Sequence, residues 1–69
     1  MAYLSDLIIH HPDVRSFEEL VELVIKTAKE GEIFLEYDVK PDYRDTPRDW
    51  RTQLERAFMG VIGSDTYDK

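Results

Sequence analysis

The clearest hydrophobic pattern in the chain has the spacing of a helix. Ser16 and Gly31 bracket a run in which apolar residues recur every three or four positions: Phe17, Leu20, Val21, Val24, Ile25 and Ala28. Ser16 followed by Glu19 is a capping box, in which each side chain binds a backbone N–H of the first turn. Gly31 can adopt the left-handed conformation that ends a helix. The pattern predicts an amphipathic helix between Ser16 and Gly31.

The following stretch, EIFLEYDV at residues 32–39, alternates with a period of two. One face carries Ile33, Leu35, Tyr37 and Val39, and the other carries Glu32, Phe34, Glu36 and Asp38. This alternation predicts a β-strand whose first face packs on the core. Phe34 is the exception among the carboxylates of the polar face. Two explanations fit: Phe34 contacts another protein beside an unpaired strand edge, or the N-terminal segment covers it.

A second helix is predicted after the connector KPDYRD. Thr46 is a suitable N-cap, Pro47 suits the first helical position, and Asp49 is favourable in the first turn. The predicted apolar face consists of Trp50, Leu54, Ala57, Phe58, Val61 and Ile62. We expect Gly63 to end this helix and residues 64–69 to form a frayed tail.

The N-terminal segment fits two structures. Leu4, Leu7 and Ile8 have helical spacing, and Pro12 would end a short helix covering about residues 3–10. LIIHH also fits a buried strand, which would give the order β-α-β-α. We favour the helix. In either case the strand at residues 32–39 is short of hydrogen-bonding partners in its own chain, which favours pairing with another copy or another protein.

The length and composition predict one small domain of the α+β class, covering residues 1–69, with the two main helices packed on the short β element. The chain has 69 residues and no cysteine, so neither disulfides nor zinc thiolates stabilise it. Domains of this size often gain stability by oligomerisation, so a homodimer is one possible state. The N-terminus has no basic region and no apolar run long enough for a signal peptide or a membrane span, and we expect a cytoplasmic protein.

The net charge of −6 is concentrated in residues 1–42, and the remainder of the chain is balanced. Such a surface repels nucleic acid and anionic lipid and favours basic protein partners. The second helix carries Arg48, Arg51 and Arg56, but Asp45, Asp49 and Glu55 dilute this charge, and Arg51 and Glu55 have the spacing of an intrahelical ion pair. Nucleic-acid binding is therefore the less favoured interpretation.

Catalytic and metal chemistry have little support in the sequence. His10, His11 and Asp13 resemble a metal-binding group, but adjacent histidines point in different directions and a divalent site needs three or four ligands that converge. Glu36 and Asp38 could serve as an acid and base pair, but the chain shows neither a nucleophile motif nor a phosphate-binding loop. We predict no enzymatic activity, no metal and no cofactor.

Apolar residues on polar faces indicate an interaction surface. Leu23 on the first helix and Met59 on the second are surrounded by charged positions, as Phe34 is on the strand. An apolar side chain with a charged rim is typical of an interface. We predict a protein-binding module, such as an accessory subunit, adaptor or inhibitor, that binds a basic protein surface through these residues: Leu23, Glu32, Phe34, Glu36, Asp38 and Met59. The alternative is an acidic mimic of nucleic acid that inhibits a DNA- or RNA-binding protein.

Overall fold

The computed structural model describes residues 2–67, and describes side chains for residues 2–62. Its elements, in chain order, are β1 (Ala2–Tyr3), α1 (Leu4–His10), α2 (Phe17–Lys29), β2 (Leu35–Glu36) and α3 (Trp50–Tyr67). The helices pack on a short parallel sheet, which confirms the predicted α+β class. None of the helices in the described part of the chain is long and apolar enough to span a membrane.

The beginning of α2 is capped from two directions. Ser16 Oγ accepts a hydrogen bond from the Glu19 N–H at 3.1 Å, as predicted, but the Glu19 carboxylate accepts from the Arg15 N–H at 2.7 Å instead of from Ser16. Asp45 adds a second cap, because its carboxylate accepts from the N–H groups of Phe17 at 2.7 Å and Glu18 at 3.3 Å. These bonds satisfy donors that a helix leaves unpaired in its first turn.

The end of α2 is a Schellman motif. Gly31 has φ of +110°, and its N–H donates to the Ala28 carbonyl at 3.1 Å, while the Glu32 N–H donates to the Thr27 carbonyl at 3.3 Å. These two bonds satisfy the last carbonyls of the helix. The predicted helix between Ser16 and Gly31 is confirmed.

The sheet corrects two predictions about the strand at residues 32–39. β2 contains only Leu35 and Glu36, and it has a partner in its own chain: β1 pairs with it in parallel, with Ala2 opposite Leu35 and Tyr3 opposite Glu36. The ladder is short because the chain enters α1 at Leu4. The N-terminal segment is mainly helical, as favoured, with the two-residue strand preceding the helix.

The beginning of α3 lies three residues beyond the predicted position. Thr46 does not cap the helix, because its hydroxyl accepts from the Tyr43 N–H at 3.0 Å and its own N–H donates to the Tyr43 carbonyl at 3.2 Å. This closed turn holds Pro47 outside the helix. The helix begins at Trp50. The carbonyl of the preceding Asp49 accepts a hydrogen bond from the Gln53 N–H, and its carboxylate accepts one from the Gln53 side-chain amide, each at 3.0 Å.

The end of α3 also differs from the prediction. The helical backbone continues past Gly63 to Tyr67, so Gly63 does not end it. The fraying of residues 64–69 stays a prediction, and residues 68 and 69 lie outside the described part of the chain.

The core lies mainly between α2 and α3 and is closed by α1 and the sheet. Its buried apolar side chains are Leu4, Phe17, Leu20, Val24, Ala28, Leu35, Leu54 and Phe58, which follow the predicted apolar faces of both long helices. On the strand the prediction was partly wrong. Leu35 is buried and Tyr37 half-buried, but Ile33 and Val39 are exposed, because the regular strand covers only two residues and its alternation does not extend to these positions.

Candidate protein-binding groove

A groove of about 420 Å³ separates residues 33–37 from α3. Ile33 and Phe34 line one side, Glu55 and Met59 line the other, and the buried side chains of Leu35 and Phe58 also face the groove. Clefts of this volume accommodate a few side chains or a small ligand. We call this feature the β2–α3 groove.

The α3 side of the β2–α3 groove changes in character along its length. Arg51, Glu55 and Met59 are spaced four residues apart, so they form one row along α3 about 12 Å long. Arg51 lies over the Tyr37 ring, with its guanidinium carbon 5.7 Å from the ring centre, and Met59, at the other end of the row, lines the same groove as Ile33 and Phe34. One end of the groove is therefore charged and the other apolar.

The charged end is built around a half-buried tyrosine. Burial and, less strongly, the nearby Glu55 carboxylate raise the pKa of Tyr37 to about 12, against the opposing effect of Arg51. Arg51 Nε lies 3.4 Å from Glu55 Oε2, which confirms the ion pair expected from their spacing. The phenol therefore stays neutral, with a cation and a carboxylate fixed beside it.

The apolar end is open to solvent. The exposed fractions are 68% for Ile33, 63% for Phe34 and 57% for Met59. The N-terminal segment does not cover Phe34: the Ala2 N–H binds the Phe34 carbonyl at 3.1 Å, but the side chain remains exposed. The sequence indicated Phe34 and Met59 because each interrupts a polar face, and the structure brings both to one groove. It missed Ile33, because strict alternation assigned that residue to the core.

The predicted acidic residues occupy different environments. Glu36 is exposed on β2 and Glu32 is half-buried. Asp38 is held within the chain, because its carboxylate accepts from the Ser5 hydroxyl at 2.7 Å and from the Ser5 N–H at 3.1 Å. Both bonds lower the pKa of Asp38, the hydroxyl bond more strongly. Asp38 therefore caps the first turn of α1, a role that the sequence did not indicate.

Leu23 is not part of the β2–α3 groove. It is half-buried against the core and lines a separate shallow depression of about 320 Å³, together with Val14 and charged residues that include Glu22 and Lys26. Leu23 therefore lies apart from Phe34 and Met59, and its part in protein binding stays a prediction.

His10, His11 and Asp13 lie near the end of α1 and in the turn that follows it. Among the side chains described, those of residues 2–62, no three of the types that bind metal ions are grouped closely enough to hold one.

No known protein family, curated protein or solved structure matches this chain. The functional interpretation therefore depends on the geometry and charge of the described residues.

Proposed function

We propose that this chain is a non-enzymatic protein-binding module that acts as an accessory subunit, adaptor or inhibitor and binds a basic protein surface through the β2–α3 groove. The observation that supports this proposal is the meeting of Ile33, Phe34 and Met59 at one open end of the groove, each more than half exposed. Contiguous apolar surface with a charged rim is common at protein interfaces.

The charge of the chain supports a basic partner. The net charge is −6, and Glu36 is exposed on β2, whereas the Glu55 carboxylate is paired with Arg51. The net negative charge and Glu36 attract a basic surface and orient it, while Phe34 and Met59 supply apolar contact area that loses water on binding.

Two other interpretations have less support. An acidic mimic of nucleic acid requires evenly spaced carboxylates on an extended strand, but β2 has two residues and Asp38 is bonded to Ser5. Direct nucleic-acid binding through the second helix requires several free cations, but Arg48 lies before α3, and of the two arginines in α3 one, Arg51, is engaged by Glu55 and Tyr37.

Affinity capture from the source cells tests the proposal, with the Phe34→Ala variant compared with the native sequence by quantitative mass spectrometry. Because Phe34 is an exposed anchor, we expect its truncation to weaken partner binding by about 30-fold, equivalent to about 2 kcal/mol. Because the side chain is not in the core, the free energy of unfolding should change by no more than about 0.5 kcal/mol.

Ile9 provides a matched control. It is an apolar residue 69% exposed on α1 that does not line the groove, so Ile9→Ala should retain the partner. The proposal fails if Phe34→Ala and Ile9→Ala retain the same proteins in equal amounts, or if Phe34→Ala unfolds the domain.

A further inference from the structure

Within the described residues, β2 has one edge with no strand beside it. The Ala2 N–H binds the Phe34 carbonyl, and Ala2 lies opposite Leu35 in the parallel register. Successive residues of a strand direct their N–H and C=O groups to opposite edges, so those of Leu35 point away from β1. Among residues 2–67 the sheet consists of β1 and β2 alone, so no strand of the described chain pairs with the Leu35 edge.

This open edge belongs to the same segment as one side of the β2–α3 groove. A bound strand could therefore bond to the backbone of Leu35 while its side chains on one face enter the groove between residues 33–37 and Met59. Addition of a strand to a sheet edge next to a helix is a recurrent mode of peptide recognition, in which the backbone supplies affinity and pockets for alternate side chains supply specificity.

We infer that the β2–α3 groove binds an extended basic peptide segment, which adds to the Leu35 edge of β2 as a third strand. The inference rests on the proposed protein-binding function and specifies the form of the partner. The apolar side chains of the peptide enter the groove beside Phe58 and Met59. Its alternate side chains are basic and lie on the face of the sheet that carries Glu36, because opposite charges on neighbouring strands stabilise a sheet.

Charge decides between this peptide and a second copy of the chain. Each copy carries a net charge of −6. Pairing of β2 with itself would bring Glu36 close to the carboxylates of the other copy, and like charges on adjacent strands are destabilising. A basic segment meets the same edge with the opposite charge, so the observations favour the peptide.

Selection from a phage-displayed library of random short peptides tests the inference, with the intact protein as bait. We expect enrichment of sequences in which apolar and basic residues alternate. The Met59→Lys variant, which places a cation in the apolar wall, should lose this enrichment. Ile9→Lys makes the same change at an exposed apolar position outside the groove and should retain it.

A synthetic peptide of the enriched sequence then tests strand addition directly. Methylation of its backbone nitrogens on the edge that faces Leu35 should weaken binding by about tenfold, because it removes hydrogen bonds without changing side chains. In amide hydrogen exchange, the unmethylated peptide should slow exchange of the Leu35 N–H and leave the exchange rate of the Ile9 N–H unchanged.

Several results would overturn the inference. These are the absence of any enriched peptide, enrichment of acidic sequences or of apolar residues at helical spacing, and equal binding of the methylated peptide. Light scattering that shows a dimer dissociated by Met59→Lys would assign the groove to a second copy. If Phe34→Ala still loses a captured protein while no peptide is enriched, the proposed function stands and the extended-peptide mode alone is wrong.

Discussion

A single carboxylate, that of Asp45, connects the loop before α3 to the beginning of α2. The N–H of Phe17 is the main cause that lowers the pKa of Asp45 below its ordinary value of 3.8, and the Glu18 N–H contributes in the same direction. A depressed pKa in the folded state means that the ionised form stabilises the fold. This contribution is present above pH 3.8 and is lost as the pH falls through the lower, folded-state pKa.

We therefore expect Asp45→Ala to lower the melting temperature at neutral pH, and the difference from the native protein to shrink as the pH falls below 3.8. Thermal unfolding followed by circular dichroism across this range provides the measurement. Asp42→Ala is the control, because Asp42 is an exposed carboxylate of the same connector and should leave the melting temperature unchanged. A difference between Asp45→Ala and the native protein that is constant with pH would contradict the role of the ionised cap.

Individual residues differ in how well their roles could be predicted. Ser16 and Gly31 act within a few positions of themselves, so the local sequence contains the whole interaction. The interruption of a polar face singled out Phe34 and Met59, but for Phe34 the sequence left open whether the N-terminal segment covers it, because that depends on a distant part of the chain. Asp45 binds a helix 28 positions earlier in the chain, and no local pattern distinguishes such a carboxylate from an ordinary surface charge.

Among the elements, the helices were more predictable than the strand. α2 has both caps and a continuous apolar face in its own sequence, whereas a strand depends on hydrogen bonds to a distant segment. In the described part of the chain β2 is limited to Leu35 and Glu36, because its partner β1 turns into α1 at Leu4. The composition of residues 32–39 permits a longer strand, but the length of its partner decides how much of it forms.

The packing of β2 beside α3 has a measurable consequence at Tyr37. Its pKa of about 12 reflects burial first and the Glu55 carboxylate second, with Arg51 acting in the opposite direction. Glu55→Gln removes one cause that raises the pKa and leaves the one that lowers it. We expect the pKa of Tyr37 to fall but to remain above its ordinary value of 10.0, because the burial is unchanged.

Titration of the tyrosine ring carbons by NMR measures this shift, and Tyr37→Phe assigns the signal among the four tyrosines. Glu22→Gln makes the same charge change on α2 and should leave the Tyr37 titration unaltered. An unchanged Tyr37 pKa in Glu55→Gln would mean that Glu55 does not face the phenol. This result would contradict the placement of the Glu55 carboxylate at the charged end of the groove.

At the scale of the whole molecule, the α+β class was predictable because the sequence shows two helical apolar faces and, between them, a stretch with a period of two, and all three must be buried against one another. The groove was not predictable. Its sides come from β2 and α3, and their relative position depends on the shortened strand, on the delayed beginning of α3 and on the packing of Leu54 and Phe58 in the core. Ile33 is exposed because the regular strand does not extend to its position.

The net charge of −6 predicts how fast a basic partner associates. Attraction between opposite charges raises association rates, and salt screens it over about 10 Å at 0.1 M ionic strength. We expect the association rate of the captured partner, or of the enriched basic peptide, to fall by about tenfold or more between low and high salt. Surface plasmon resonance at several salt concentrations measures this dependence.

Two variants distinguish the effect of the overall negative charge on binding from the effect of a direct contact at the groove. Glu36→Gln and Asp13→Asn each remove one negative charge, so a long-range field alone would slow association equally in both. If Glu36 also faces a basic side chain of the bound partner, its variant should additionally dissociate faster, because loss of a close charge pair acts mainly on the dissociation rate. If the two variants dissociate at the same rate, the acidic residues only accelerate association. Specificity would then come from Phe34, Met59 and the Leu35 edge.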